Sequence, residues 1–224
     1  MEVATDYTGE YVNATYADGV GMGLAFERII ALPAEKSDNA GRIRRLRSFV
    51  EARYGAGRSI DLLDVGSGLG VFPYVVKQSG WRCVALDPDP RAVQHIQQKI
   101  GVRAACGNFM SVSDLGSFDV ITFNKVLEHV NDPVGMLDRA HNFLREDGLV
   151  YVELPDGEMA ASDGFGREEF FIEHLHIFSF ASVVLLADRA GFTPITVERL
   201  REPSGKYTLR AFLVPISSNK DPGA

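Results

Sequence analysis

The sequence predicts an α/β protein, a doubly wound and mostly parallel sheet with helices on both faces. Three observations carry this prediction. From Ser59 onward, short apolar runs alternate with helical stretches. The first run opens into a loop with glycine at 66, 68 and 70, and then into a helix. Towards the end of the chain, two further runs are joined by the turn residues PSGK, a hairpin that adds one antiparallel strand.

In chain order, residues 1–58 stand outside that rhythm and are expected to form an N-terminal helical cap or lid. Within them Asn39–Tyr54 reads as a helix with Ile43, Leu46, Val50 and Tyr54 on one face, and Glu27–Leu32 as a shorter one. Tyr7, Tyr11 and Tyr16 are placed either in a lid over a ligand or in ordinary packing. The domain proper runs over 59–216. Ser59–Val65 reads as a buried strand, Val71–Ser79 as a helix, Arg82–Asp87 as a strand, and Pro90–Ile100 as a helix with Pro90 in its first turn. Val102–Cys106 and Phe118–Phe123 are the next strands, Pro133–Leu144 a helix, and Leu149–Leu154 a strand. Phe180–Ala190 is an amphipathic helix ended by Gly191, and the hairpin strands are Ile195–Leu200 and Tyr207–Val214. That makes seven strands. Residues 217–224 read as a frayed tail.

The formal charge of -7 argues against a general affinity for nucleic acid or anionic membrane, because either polyanion is repelled on average. The two cysteines, Cys83 and Cys106, have no CxxC spacing and are expected to be reduced and buried. The sequence MEVATDYTGEYV has no basic segment leading into an apolar core, and no apolar run approaches the roughly 18 residues of a membrane span, so a cytoplasmic location is expected.

Function enters through LLDVGSGLG, residues 62–70. Glycine lets a backbone turn sharply and lets a ligand lie against bare main chain beside a helix N-terminus. Asp64 ends the preceding strand, where a carboxylate meets a cationic amine. Asp87 ends the next strand, where an acid accepts hydrogen bonds from ribose hydroxyls. The spacing is GxGxG, with Val71 where a dinucleotide fingerprint wants a small residue, and a pyrophosphate sits poorly beside Asp64. A cationic single-nucleoside ligand suits the loop better.

LLDVGSGLG, ALDPDP, FDVITFNKVLEHVNDP and FLREDGLVYVELP, in that order, resemble the successive motifs of the class I S-adenosylmethionine-dependent methyltransferases over about residues 58–216. The resemblance implies a Rossmann-like methyltransferase fold and S-adenosylmethionine as methyl donor, with S-adenosylhomocysteine as product. It implies that Asp64, Gly66, Ser67, Gly68 and Gly70 face the methionine part of the donor and Asp87 the ribose, with Pro88 beside it. Asn108 and Phe109 fall on the adenine side, where the family often has an acid and asparagine can still accept a hydrogen bond. Asn124, Lys125 and Val126 line the methionine side. LEHV, with Glu128 and His129, reads mainly as architecture under the donor.

The acceptor is narrowed by exclusion. FNKVLEH replaces the Asn/Asp-Pro-Pro-aromatic segment that resembles sites for exocyclic base amines, and no cysteine nucleophile follows the fourth strand. Glu128 and Asp132 are thin support for metal-assisted catechol chemistry, so no metal is expected. The segment FFIEHLHIFSF, residues 170–180, resembles an EHxHxFS segment of members that methylate sugars and other small molecules. If extended, it puts His174 and His176 on one face and Glu173 on the other. Histidine titrates near neutrality and is a candidate base for a hydroxyl acceptor, while the structural alternative is a ring that anchors the insertion through the backbone. Arg42 and Arg45, in a helix also carrying Arg44, Arg47 and Arg53, are candidates to hold a phosphate or carboxylate; a solvated face with pairs such as Arg47 to Glu51 is the alternative.

The sequence therefore predicts O-methylation of a small polar acceptor such as a sugar, nucleotide-sugar or other hydroxylated metabolite. Carbon or nitrogen methylation of a small molecule, and a non-catalytic S-adenosylmethionine-binding protein, stand as alternatives. Oligomeric state is left open, a homodimer included.

Overall fold

The computed structural model describes residues 19–216. Two helices come first: α1 (Gly19–Ile30) and α2 (Asp38–Tyr54). Then follow β1 (Asp61–Val65), α3 (Val71–Gln78), β2 (Arg82–Asp87), α4 (Pro90–His95), β3 (Arg103–Cys106), β4 (Phe118–Asn124), α5 (Pro133–Asp138) and β5 (Leu144–Pro155). The chain ends with α6 (Gly157–Ala161), α7 (Phe180–Arg189), β6 (Phe192–Arg201) and β7 (Tyr207–Pro215). The expected lid tyrosines and the tail 217–224 lie outside the described residues.

All seven strands form one sheet in the order β3-β2-β1-β4-β5-β7-β6, with β7 antiparallel to both neighbours and therefore the one reversed strand. The period of two along each strand divides the core. Leu62, Val120, Leu149 and Tyr151 face α2 and α3, whereas Leu63, Ile121 and Val150 face α5 and α7. Because the parallel strands are covered on both sides, β4 is buried along almost its whole length.

Helix α2 is a layer of this sandwich. Ser37 caps it, its hydroxyl accepting from the Ala40 amide at 3.2 Å, and Leu46 and Val50 bury fully against the sheet beside Leu62 and Phe212. Each such burial stabilises by roughly 1.5–3 kcal/mol. Helix α1 packs through Met22 and Phe26 on α4, Phe26 meeting His95 edge-on.

Several expectations shift. The helix from Pro133 is α-helical only to Asp138 and tightens to a 3₁₀ turn over Arg139–Asn142, since the amide of Phe118 already bonds the Phe143 carbonyl and β5 begins at Leu144. The helix from Pro90 passes into a π turn, Ile96–Ile100. Cys106 is exposed and Cys83 half-buried, both as free thiols, because Cys106 ends the edge strand β3. Among the described residues, no helix is long and apolar enough to cross a membrane.

Candidate active site

The parallel strands β1, β2, β4 and β5 end together at Val65, Asp87, Asn124 and Pro155, and the predicted residues gather along that edge. The loop after β1 carries Gly66, Gly68 and Gly70 at φ of 72°, 50° and 71°, the left-handed region that disfavours a side chain. Their roles differ. A Cβ on Gly70 would overlap Ile96 and Ile100 of the π turn, and one on Gly66 would come 2.7 Å from Val126. A Cβ on Gly68 meets nothing within 4 Å, so this residue presents bare backbone to open space. The Gly66 and Ser67 amides both bond the Leu86 carbonyl, at 2.8 and 3.1 Å, which ties the loop to β2.

Asp87 closes the same arrangement from β2. Its Oδ2 accepts from the Gly68 amide at 2.7 Å and its Oδ1 from the Asp89 amide at 2.9 Å. Burial raises its pKa, and these amides oppose the rise. Pro88, half-buried, follows it. Asp64 is almost fully buried, with Oδ1 accepting from Thr122 Oγ1 at 2.7 Å and Asn124 Nδ2 at 2.8 Å. Loss of water pushes its pKa up to about 6 against those hydrogen bonds. Ser67 Oγ donates to the Asp64 carbonyl at 2.9 Å.

On the expected adenine side, Asn108 Oδ1 accepts from the Met110 amide at 2.9 Å, so one lone pair already serves the turn. Phe109 is buried and packs edge-on to Phe123 with ring centres 5.5 Å apart. Its side chain belongs to the core, so a place beside the donor would rest on its backbone.

At the end of β4 the chain turns through Lys125, a non-glycine residue at φ 59°, a conformation that stores roughly 1 kcal/mol or more and persists where its surroundings enforce it. Its amide bonds the Glu153 carbonyl at 3.0 Å and its ammonium donates to Thr208 Oγ1 at 2.8 Å. Burial lowers the Lys125 pKa, partly offset by the charges of Glu153 and Glu128. Asn124 Oδ1 is buried without a hydrogen-bond partner, and so are both carboxylate oxygens of Glu128, a residue 0% exposed. Burial pushes Glu128 up to about 7, with Lys125 pulling the other way.

The segment after α6 does not meet the condition of an extended chain that would put both histidines on one face. The His174 amide closes a turn onto the Phe171 carbonyl at 2.9 Å, and the amides of Leu175 and His176 both bond the Glu128 carbonyl, at 2.8 and 3.2 Å. The two histidines therefore diverge. His176 Nε2 sits 2.9 Å from the Val130 carbonyl, the anchoring role. His174 Nδ1 lies 2.9 Å from the Glu169 carbonyl, and its ring meets that of His129 edge-on at 4.9 Å between centroids. His129 Nδ1 in turn lies 3.0 Å from the Glu173 carbonyl.

The two arginines offered as substrate ligands are otherwise engaged. Arg42, 8% exposed, donates through Nε at 2.7 Å to Glu153 on β5, and Arg45 donates through Nε at 3.0 Å to Glu198 on β6. Each cation already has its carboxylate, which corrects their assignment to an acceptor phosphate. The pair Arg47–Glu51 forms as anticipated, at 3.1 Å. That Glu128, His129 and His174 come together, one ligand atom of each within 4.8 Å of the others, was missed. The one signal in sequence was Glu-His directly after the fourth strand, read as architecture.

A family model described as a methyltransferase domain matches residues 36–197. Among curated proteins, the ubiquinone biosynthesis O-methyltransferase of Parvibaculum lavamentivorans is 28% identical over 149 residues, 56% of this chain and 59% of that protein. The chain thus spans little more than half the length of that curated relative. Among solved structures, magnesium protoporphyrin IX methyltransferase from Synechocystis PCC 6803, with bound S-adenosylhomocysteine, superposes with a TM-score of 0.67 at 14% identity, covering 92% of this chain and 97% of that one. The Burkholderia thailandensis 1,6-didemethyltoxoflavin-N1-methyltransferase gives 0.61 at 19% identity, covering 97% and 93%. The seven-stranded sheet with one reversed strand is the methyltransferase fold, and with the family model running from the start of α2's approach to the middle of β6, the chain belongs to the methyltransferase-domain family.

Proposed function

We propose that this chain transfers a methyl group from S-adenosylmethionine to a hydroxyl of a small acceptor and releases S-adenosylhomocysteine. The observation that carries this reading is the glycine loop, with Gly68 bare towards open space and a carboxylate on either side, Asp64 and Asp87. These residues fit the donor. Each Asp87 oxygen takes a single main-chain N–H, which leaves lone pairs for ribose hydroxyls, and Asp64 supplies negative charge towards a cationic end. The orphaned Asn124 Oδ1 adds an acceptor beside Asp64.

The donor supplies a methyl group on positively charged sulfur. The protein's part is to hold both reactants in line and to receive the hydroxyl proton. Glu128, His129 and His174 are the groups for that proton, one ligand atom of each lying within 4.8 Å of the others. His174 is preferred to His176 because it stands with Glu128 and His129, whereas His176 is held through Nε2 on the Val130 carbonyl, away from that group.

For the acceptor, a hydroxyl is supported by the relatives, which are named O-methyltransferases. A phosphorylated or nucleotide-linked sugar loses its main support, because Arg42 and Arg45 are paired. Phe171, Ile172, Leu175 and Ile177 are all exposed on the segment that carries His174, Ile172 at 95%, and they favour an acceptor with an apolar body. The test is transfer of labelled methyl to a panel of phenols, hydroxylated quinones and free glycosides, with product fragmentation to locate the methyl. Label on oxygen of an apolar-bodied acceptor supports the reading. Donor binding without transfer to any member of a broad panel favours a binding protein.

A further inference from the structure

We infer that Glu128, His129 and His174 form a binding site for one divalent transition-metal ion at the acceptor side of the cleft. The set is two imidazoles and one carboxylate, a donor combination suited to zinc, manganese, iron or cobalt and poorly suited to magnesium or calcium, which take oxygen ligands. A ligand atom from each residue lies within 4.8 Å of the other two. Ligand atoms on such an ion are roughly 3–3.5 Å apart given bonds of about 2.0–2.2 Å, so a movement on the scale of one side-chain torsion closes the site.

Two further observations point to a cation. First, both oxygens of Glu128 are buried without a hydrogen-bond partner, although the residue is 0% exposed. A buried, unsatisfied carboxyl is costly, and an ion coordinated to it removes that cost. Second, each ring is oriented by a main-chain carbonyl on Nδ1, Glu173 for His129 and Glu169 for His174, at 3.0 and 2.9 Å. A neutral imidazole that donates from Nδ1 carries its lone pair on Nε2, the outer-shell arrangement by which metal-ligating histidines are held. The elements that supply the ligands are also locked to each other. Glu128 and His129 lie in the 3₁₀ turn after β4, and the Glu128 carbonyl receives the amides of Leu175 and His176, immediately beyond His174.

The buried Lys125 ammonium is the opposing feature, since its charge bears on Glu128. It donates to Thr208 on β7, which holds it in place. One carboxylate against one lysine gives a site of modest affinity.

The role of this ion rests on the reading that the cluster faces the acceptor. There it would act as a Lewis acid on the acceptor oxygen, lowering the hydroxyl pKa so that its proton leaves to water, in place of direct transfer to the three side chains, which would then be ligands. Its existence does not depend on that reading, and the experiment separates the two. Chelator-stripped protein is titrated with zinc, manganese and magnesium chlorides by calorimetry, and with cobalt chloride by absorption. The same is done for His129→Ala, His174→Ala and Glu128→Gln, with S-adenosylhomocysteine binding as the control for an intact donor site. The expected result is one equivalent of zinc or cobalt bound, visible d–d bands for cobalt, and affinity lower by tenfold or more in each histidine variant with donor binding retained. Lys125→Met should bind the metal several-fold more tightly. His129 is exposed, so its variant stays informative where Glu128→Gln folds poorly. Absence of stoichiometric binding, or binding unaffected by both histidine substitutions, overturns the site. Metal binding without any donor binding would sink the proposed function and leave the metal site standing.

Discussion

Arg42 and Glu153 meet across the interior of the protein, the guanidinium of α2 donating through Nε at 2.7 Å to a carboxylate near the end of β5 that no solvent reaches. Arg210 of β7 and the Tyr151 hydroxyl share the same carboxylate. Burial alone would raise the Glu153 pKa, but the Arg42 charge, with Arg210 behind it, holds it down to about 2. A carboxyl whose folded pKa is depressed contributes stability that is complete above its ordinary value of 4.5 and fades as pH falls towards the folded value.

Replacing Arg42 by Met leaves a buried carboxylate with one arginine fewer, and is expected to destabilise the fold by about 3 kcal/mol. For a chain of this size that is roughly a 10 °C fall in melting temperature. The acid midpoint followed by circular dichroism should also move upward, because the folded pKa of Glu153 rises. Unchanged melting and acid transitions would show that Arg210 suffices.

Two neighbouring glycines should fail in different ways. Gly70→Ala drives a Cβ into Ile96 at 2.6 Å and into Ile100, and adds left-handed strain of roughly 1–2 kcal/mol. It is expected to lower stability by about 3 kcal/mol. Gly68→Ala carries only the strain, because its Cβ points into open space, but it fills the backbone surface offered to the donor. Calorimetry should show donor affinity reduced tenfold or more in a folded protein. A Gly68→Ala variant that binds normally would place the donor elsewhere.

Asp64 gives donor binding a pH dependence of predictable sign. Burial raises its pKa to about 6, so below that value the ligand-free carboxyl is neutral and offers a cation little. Affinity for S-adenosylmethionine should rise with pH through about 6 and level off above it, falling by up to tenfold per unit on the acid side. Asp64→Asn should bind more weakly at pH 7.5 and lose the slope between pH 5 and 7. The ligand-free fold carries the reverse dependence. A carboxyl with a raised folded pKa contributes stability below its ordinary value that is lost as pH rises through about 6.

The histidines should separate in the same assay. His174→Ala is expected to lower methyl transfer by about 100-fold or more with donor affinity unchanged, as loss of a proton-handling group does. His176→Ala removes the ring from the Val130 carbonyl and should act mainly through stability, by about 1 kcal/mol. Equal loss of rate in both variants would mean that the segment serves as a unit.

How much of this was legible in sequence depended on range. The strands, the glycine loop and the acids at 64 and 87 are local signals and stand close to where the spacing put them, whereas the helix expected at Glu27–Leu32 runs over Gly19–Ile30. What sequence could not give is pairing between distant residues. Arg42 reads as a surface cation until Glu153, 111 positions away, is found beside it. Likewise, the alternation that put His174 and His176 on one face assumed an extended chain, and the turn at Phe171–His174 removes that premise. Phe109, in the loop beyond β3, has its ring in the core, a direction that an aromatic in a loop does not announce in sequence.

The reversed strand has a consequence for how the molecule is made. Because β7 inserts between β5 and β6, the row of hydrogen-bonding groups along β5 from Val150 to Pro155 has no partner on that side until residues 208–213 have been synthesised. A nascent chain that has finished β5 and α7 thus carries an open sheet edge and a Glu153 still lacking Arg210. Completion is a late, non-local event, and it is during that interval on the ribosome that this chain is most exposed to edge-to-edge association with its own copies.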